Sequence, residues 1–94
     1  INEEDIVCLI ADGNYTNVIV TNQNKIVATK PLKYFNSVFD NQKYFFRISK
    51  SCIVNKRYIS AFNKSTSSIE LQNKMELEVS RRRKKDFIQE LNLI

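Results

Sequence analysis

Histidine and tryptophan are missing from this chain of 94 residues, and glycine and proline occur once each. Histidine is the commonest general base and the commonest metal ligand of proteins. Its absence excludes a Ser-His-Asp or Cys-His catalytic arrangement within the chain. A single glycine and a single proline exclude a low-complexity or linker-like composition. We therefore expect a globular protein that is not an enzyme and that needs no cofactor or metal.

Long apolar runs are also missing. No run approaches the ~18 residues that a membrane span requires, and no secretory signal is visible. We expect a cytoplasmic location and no membrane partner. The length fits a single domain over residues 1–94 with one modest hydrophobic core. Because the chain begins with Ile1 rather than Met, we interpret it as a C-terminal fragment of a longer protein.

The cysteines are few, and their spacing is not that of a metal site. Cys8 and Cys52 both stand among apolar neighbours. We expect two reduced and partly buried thiols, as in a reducing compartment. A redox-sensing pair is the alternative, since the sequence does not say whether the two side chains approach each other.

Charge of one sign is missing from the start of the chain. Residues 1–24 contain no basic residue, and their acids are Glu3, Glu4, Asp5 and Asp12. Residues 25–57 contain Asp40 as their single acid, and their basic residues are Lys25, Lys30, Lys33, Lys43, Arg47, Lys50, Lys56 and Arg57. The run from Arg81 to Lys85 is entirely basic. Such segregation favours a polyanionic partner, and a merely solvated basic face is the alternative.

Short apolar segments separated by turn residues predict a mainly β fold of antiparallel sheets. The predicted strands cover residues 5–11, 18–20, 25–29, 45–49, 59–62, 68–71 and 74–79, and we interpret 45–49 as the central strand. A short packing helix is predicted from Pro31 to Phe39. A C-terminal helix follows Ser80 as its N-cap, and its inner face is formed by Phe87, Leu91 and Ile94.

The segment from Phe45 to Asn55, F-F-R-I-S-K-S-C-I-V-N, alternates apolar residues with basic or hydroxyl ones. The alternation predicts a strand that ends in a loop at Lys50 and Ser51. The segment resembles the signature of the LytTR DNA-binding domain of bacterial response regulators, F-x-R-x-H-[RK]-S-[YF]-[IL]-[IV]-N. The matching residues are Arg47, Lys50, Ser51, Ile53, Val54 and Asn55. Ser49 replaces the usual histidine, and Cys52 replaces the usual aromatic residue.

Two further segments resemble the same family in the same order. Residues 12–16, D-G-N-Y-T, resemble its first hairpin turn, and residues 79–82, V-S-R-R, resemble the start of its last helix. The resemblance implies an elongated β-fold that binds double-stranded promoter DNA at direct repeats, with loops in the major groove. It implies a bacterial transcriptional regulator, with a receiver domain before this domain as in two-component systems. A homodimer on the DNA is an open option.

The resemblance also implies the residues that contact DNA. Base contacts are expected from Tyr15, Lys50 and Arg81, and phosphate contacts from Asn14, Ser49, Ser51, Arg82 and Lys85. Arg81 has the chemistry for two hydrogen bonds to guanine. The basic first turn of the last helix opposes the helix dipole, so stability does not explain it, but it forms a strong anion site.

Some residues have a second interpretation that does not involve DNA. Tyr15 packs within its hairpin in the alternative view. For Arg47 we favour an ion pair with Glu70 or Glu76 across strands over a phosphate contact. For Asn55 we favour backbone capping over DNA contact.

The chain as a whole also has an alternative function. It would then be a small basic β-rich module that docks an acidic protein or an anionic membrane surface through residues 81–85. RNA binding is less favoured, because no exposed aromatic ladder is evident.

Overall fold

The computed structural model describes residues 2–22, 24–40 and 43–92. The described residues form antiparallel β-sheets with two α-helices, which confirms the predicted fold class. The strands are β1 (Ile6–Asp12), β2 (Tyr15–Val20), β3 (Lys25–Ala28), β4 (Phe45–Ser49), β5 (Cys52–Asn55), β6 (Ile59–Asn63), β7 (Ser68–Leu71) and β8 (Glu76–Glu78). The helices are α1 (Leu32–Val38) and α2 (Arg81–Asn92), and 3₁₀ turns cover Glu3–Asp5 and Lys56–Tyr58.

The strands form two sheets. One has five strands in the order β3-β2-β1-β5-β4, and the other has three strands in the order β6-β7-β8. The middle strand of the larger sheet is β1, whose residues Ile6 to Leu9 are buried on both faces as predicted. The prediction that residues 45–49 form the central strand was wrong, because β4 lies at the sheet edge. Its hairpin partner β5 takes the inner position, since all its residues are buried whereas β4 carries Arg47.

Helix α1 covers one face of the larger sheet. Leu32 and Phe39 are buried, and the ring of Phe39 stacks on that of Phe45 with 4.2 Å between centroids. With the half-buried Phe35, these side chains form the predicted apolar stripe. The helix is one residue shorter at each end than predicted, and Pro31 occupies the N-cap position.

Helix α2 and the smaller sheet cover the opposite face. Phe87 of α2 is fully buried between Phe46 and Phe62, with ring centroids 5.7 Å and 5.1 Å away. Ile48 and Leu71 lie in the same cluster. The larger sheet is therefore the middle of three layers. Of the predicted inner face of α2, Phe87 is buried and Leu91 is half-buried, while Ile94 lies outside the described residues.

Asn55 holds β5 to β1 at the end of the sheet where β1 begins. Its side chain is 1% exposed. The amide nitrogen donates to the carbonyl oxygen of Ile6 (2.8 Å), and the side-chain oxygen accepts from the backbone N–H of Arg57 (3.0 Å). These bonds satisfy buried backbone groups, as a capping residue does. The predicted capping role of Asn55 is confirmed.

Candidate nucleic-acid interface

The first hairpin turn lies between β1 and β2. Gly13 has φ of +61°, a left-handed conformation that glycine adopts without steric cost. Asp12 and Tyr15 face each other across the turn as the last pair of the ladder. Asn14 is exposed, and Tyr15 is 51% exposed. The turn thus presents an amide and a phenol to solvent, at the positions where DNA contacts are predicted.

The loop between β4 and β5 is held by the side chain of Arg47. Its Nε donates to the carbonyl oxygen of Ser49 (3.1 Å), and its Nη2 donates to that of Lys50 (2.6 Å). The hydroxyl of Ser49 accepts a hydrogen bond from the backbone N–H of Ser51 (3.2 Å). Because these bonds use the backbone, the side chains of Lys50 and Ser51 remain exposed.

The predicted pairing of Arg47 with Glu70 or Glu76 was wrong. Both acids belong to the smaller sheet, where they face each other as a cross-strand pair between β7 and β8. Arg47 is on β4 of the larger sheet, and its guanidinium is bonded to the loop. The predicted outward face of Glu70, Glu76 and Glu78 is confirmed, since all are exposed.

The start of α2 lies beside the end of β4. The backbone N–H of Ser80 donates to the carbonyl oxygen of Ile48 (2.8 Å), and the carbonyl of Ser80 accepts from the N–H of Arg83 (3.0 Å). Arg83 Nη1 donates to the carbonyl of Arg47 (3.4 Å), and Lys84 Nζ donates to that of Lys64 (2.6 Å). The basic run therefore divides: two of its members bind backbone, and the exposed ones are Arg81, Arg82 and Lys85.

These segments meet at one end of the larger sheet. The backbone N–H of Ala11, next to the first turn, donates to the carbonyl of Ser51 (2.8 Å). Ser80 is in turn bonded to Ile48, close to the β4–β5 loop. We call the surface formed by residues 12–15, 49–51 and 80–82 the loop edge. The predicted DNA-contacting residues lie on it or next to it, except that Lys85 lies one helical turn further along α2.

Acidic residues lie at the opposite end of the sheet. The 3₁₀ turn Glu3–Asp5 precedes β1, whose seven residues span ~24 Å at about 3.4 Å per residue. Among the residues the structure describes, Lys56 and Glu90 form an ion pair, whereas Lys50 and Arg81 form none. The 3₁₀ turn thus places acidic charge far from the loop edge, whereas Asp12 belongs to the loop edge and Glu76 and Glu78 lie beside it.

The structure divides the basic stretch of residues 25–57 between the two ends. Lys30 and Lys50 lie toward the loop edge, whereas Lys25 and Arg57 lie toward the end where β1 begins. Arg57 covers the ring of Tyr44 with 4.0 Å between the guanidinium carbon and the ring centroid. The basic residues of 25–57 therefore do not form one continuous cationic surface, although they are close together in the sequence.

A cleft separates the β4–β5 loop from β8. It is lined on one side by Ser49 and Ser51 and on the other by Glu76, Glu78 and Ser80. The carboxylates make this side of the loop unfavourable for phosphate. Ser49 is also half-buried, with its hydroxyl committed to the backbone of Ser51. The geometry of Ser49 therefore favours a role in shaping the loop, and a contact between Ser49 and phosphate stays a prediction.

The two cysteines are free and buried, as expected. Cys8 lies opposite Val54 and Cys52 lies opposite Ile10, so the thiols are diagonal neighbours on one sheet face. Burial raises the pKa of Cys8 to about 12. Burial, and secondarily the nearby Cys8, raise the pKa of Cys52 to about 12. Because the thiolate is the reactive form, these shifts disfavour the redox-sensing alternative.

Sequence reasoning missed two residues that shape the loop edge. Arg47 was expected to pair with an acid, and its bonds to the loop backbone depend on a turn that the sequence does not specify. Thr16 is fully buried, and its Oγ1 donates to the carbonyl of Lys30 (2.8 Å). The sequence did contain a signal for the burial of Thr16. Thr16 stands two residues before Val18 in β2, so both side chains lie on the same, inward face of the strand.

These features define a class of protein: a small antiparallel β domain that presents its cations on loops and on a helix start. The chain belongs to the LytTr DNA-binding domain family, whose model matches residues 1–92. It is therefore a DNA-binding domain of the kind used in transcription regulation. The family is a DNA-binding one and not a catalytic one.

A solved structure has the same fold. It is the LytTr DNA-binding domain of a Bacillus cereus protein described as a methyl-accepting/DNA response regulator. The TM-score is 0.84 at 21% sequence identity, and the match covers 97% of this chain and 84% of that chain. The comparison with curated proteins found no match to this chain.

No helix within residues 2–22, 24–40 and 43–92 is long and apolar enough to cross a membrane. Across the same ranges, no group of three or more cysteine, aspartate or glutamate side chains is arranged to hold a metal ion.

Proposed function

We propose that this domain recognises specific double-stranded promoter sequences through its loop edge. The observation that carries the proposal is the meeting of the first turn, the β4–β5 loop and the start of α2 at one sheet end. Cationic and hydrogen-bonding side chains lie exposed there. A duplex therefore meets its complementary charge on one surface.

The base contacts are assigned to Tyr15, Lys50 and Arg81. Each is exposed and extends from a backbone that is fixed by a hairpin or by a helix start. Arg81 offers two parallel N–H donors for guanine O6 and N7, and Lys50 offers a point charge for the same acceptors. Tyr15 supplies a hydroxyl and a ring face. With loops in the major groove, the domain needs no recognition helix.

The phosphate contacts are assigned to Asn14, Ser49, Ser51, Arg82 and Lys85. Contacts of this kind fix the register of a protein on DNA without reading its sequence. Arg82 is exposed in the first turn of α2, where the helix dipole adds to the attraction for an anion. Lys85 is exposed one turn further along the same helix.

The dimensions of the domain suit a site of about one helical turn. The domain extends at most 34 Å in any direction, so one copy fits within one turn of B-DNA, which advances ~34 Å. Two copies bound to direct repeats spaced by one turn would lie side by side on one face of the duplex. We infer that the regulator binds promoter repeats in this way, with a homodimer forming on the DNA.

We also infer that the domain is the output module of a longer bacterial response regulator in the cytoplasm, with an N-terminal receiver domain. The support is the family membership, together with the solved neighbour, which is described as part of a response regulator. The 3₁₀ turn at Glu3–Asp5 lies at the end of the sheet remote from the loop edge. A preceding domain would therefore leave the loop edge accessible.

The test is selection from a pool of random duplexes at near-physiological salt, followed by sequencing of the bound fraction. Phosphate attraction alone gives dissociation constants of ~10⁻⁴–10⁻⁶ M and no preferred sequence. The proposal predicts enrichment of a short motif, repeated in the same direction at about one helical turn. An unenriched pool, with equal binding to vesicles of anionic lipid, would favour the alternative of a docking module.

A further inference from the structure

Lys30 lies at the same end of the larger sheet as the loop edge, on the side away from α2. Ala28, the last residue of β3, faces Thr16, the second residue of β2. Thr16 follows Tyr15 directly. Lys30 comes two residues after Ala28, so the chain leaves β3 beside the first turn. Lys30 is exposed, and it belongs to none of the segments that define the loop edge.

The backbone at Lys30 is anchored by a buried hydroxyl. Thr16 is fully buried, and its Oγ1 donates to the carbonyl oxygen of Lys30 at 2.8 Å. A hydroxyl taken out of water without a partner costs on the order of 1–3 kcal/mol, so the bond keeps this carbonyl against β2. The position of Lys30 relative to the first turn is therefore set by the sheet.

The ammonium group of Lys30 is also held in place. Its Nζ lies 5.4 Å from the centroid of the Tyr34 ring, within the range of a cation–π interaction. Tyr34 is itself 46% exposed. The contact does not neutralise the positive charge, so an anion can still bind the exposed ammonium group.

Strand spacing places Lys30 relative to the other cations. Neighbouring strands are ~4.8 Å apart, so the end of β3 lies ~7 Å to one side of the turn that joins β1 and β2, and the β4–β5 loop lies ~10 Å to the other side. Lys30 therefore flanks the first turn on the side away from Lys50. Because it lies outside the three segments to which base contacts are assigned, the contact open to it is with the sugar–phosphate backbone.

We propose that Lys30 is a phosphate-binding residue that extends the DNA interface beyond the first turn, on the side opposite to Arg81 and Arg82. This inference rests on the proposed function of the loop edge. Lys30 contributes affinity for any duplex and no base preference, because a phosphate contact carries no sequence information. Its position gives the domain cationic contacts on both sides of Tyr15 and Lys50.

The test compares Lys30→Ala with Lys25→Ala as a matched control. Lys25 is an exposed lysine on the same strand, at its other end, where it faces Ile19. The probes are a fluorescent duplex about three helical turns long, taken from the selected pool, and a scrambled duplex of equal composition. Binding is measured between ~50 mM and ~200 mM salt, because each phosphate contact contributes about −0.9 to the slope of log affinity on log salt.

Lys30→Ala is expected to weaken both duplexes by the same several-fold factor and to make the salt slope shallower by about 0.9. Lys30→Arg is expected to restore the slope, and Lys25→Ala to leave it unchanged. An unchanged slope in Lys30→Ala, or an equal change in Lys25→Ala, would overturn the inference while leaving DNA binding intact. Failure of the parent chain to bind either duplex would overturn the proposed function and this inference with it.

Discussion

Arg47 Nη2 donates a 2.6 Å hydrogen bond to the carbonyl oxygen of Lys50, the residue at the tip of the β4–β5 loop. A second bond from Nε reaches the carbonyl of Ser49. One guanidinium thus fixes two consecutive peptide groups of this loop. Arginine suits this task because its planar donors are preorganised, so less rotamer entropy is lost per bond.

We predict that Arg47→Met reduces sequence preference more than it reduces stability. The variant removes the two hydrogen bonds that hold the β4–β5 loop. Binding of Lys50 to a base must then order the loop, which costs conformational entropy. We expect a three- to tenfold lower ratio of affinities for selected over scrambled duplexes, equivalent to about 1 kcal/mol. Fluorescence anisotropy with both duplexes measures this ratio.

The matched control for Arg47 is Arg57→Met. Arg57 is exposed, covers the ring of Tyr44 and lies at the end of the sheet remote from the loop edge. Both variants remove one positive charge, and we expect Arg57→Met to leave the affinity ratio unchanged. Equal ratios in parent and Arg47→Met would show that the loop needs no side-chain support.

Arg81 carries the sharpest prediction about base recognition. Arg81→Ala is expected to cost ~1–3 kcal/mol with the selected duplex and to relax the preference at one base pair. Lys85→Ala, one turn along the same exposed helix face, is expected to weaken all duplexes alike. Repeating the selection with each variant distinguishes the two. A selected motif that survives Arg81→Ala unchanged would contradict the assignment of Arg81.

The ion pair of Lys56 with Glu90 ties the 3₁₀ turn after β5 to the C-terminal part of α2. Lys56 Nζ lies 2.7 Å from Glu90 Oε2, and their side chains are 3% and 40% exposed. Glu90→Ala leaves a nearly buried ammonium group without its partner, so we expect a loss of about 1–3 kcal/mol in the free energy of unfolding. Urea denaturation measures it.

Lys56→Met provides the comparison for that pair. An apolar side chain of similar length fills the same space and leaves only the half-exposed carboxylate, so we expect stability within about 1 kcal/mol of the parent. Glu76→Ala serves as an exposed control, because Glu76 faces the like-charged Glu70 and its removal relieves repulsion. Equal losses in Glu90→Ala and Lys56→Met would contradict the buried-charge explanation.

The thiols predict a dependence of stability on alkaline pH. Burial raises the pKa of both Cys8 and Cys52 from an ordinary 9.0 to about 12. Above pH 9.0 the unfolded chain releases thiol protons that the folded chain retains. The thiols therefore contribute fully to the free energy of unfolding below pH 9.0, the pKa in the unfolded chain, and this contribution falls as the pH rises toward about 12, the pKa in the folded chain. The loss is about 1 kcal/mol per thiol at a pH one unit above the unfolded pKa.

The measurement is urea unfolding at pH about 8 and about 10, in the parent and in the variant Cys8→Ala/Cys52→Ala. We expect the variant to start less stable, because two buried side chains are shortened, but to lose less stability between the two pH values. Both thiols should also react slowly with iodoacetamide in the folded state. A parallel decline in parent and variant would indicate that other groups account for the alkaline loss.

Both helices and the strands other than β5 could be predicted because their signals are local. The apolar run of β1, the turn around Gly13 and the stripe on α1 each depend on neighbours within a few residues. The resemblance of residues 45–55, 12–16 and 79–82 to one family also predicted which loops carry the interface. Their meeting at one sheet end could only be implied, since it depends on hydrogen bonds between Ala11 and Ser51 and between Ser80 and Ile48.

Strand order and side-chain partners could not be predicted in the same way. The edge position of β4 depends on which strand of its hairpin pairs with β1, and that pairing spans more than 40 residues between Cys8 and Val54. The partner of Arg47 depends on the backbone of a loop rather than on a nearby acid. Lys30 was one cation of many in the sequence, and its position depends on the buried Thr16.

We propose the loop edge as the surface that meets DNA. The most direct measurement is a titration of the isotope-labelled chain with the selected duplex, followed by amide NMR shifts. We predict that the largest changes fall on residues 12–16, 49–51 and 80–82, with Lys30 affected and the 3₁₀ turn at Glu3–Asp5 unaffected. Changes concentrated on Glu3–Asp5, on the β6–β7 turn or on the exposed face of α1 would show that another surface meets DNA.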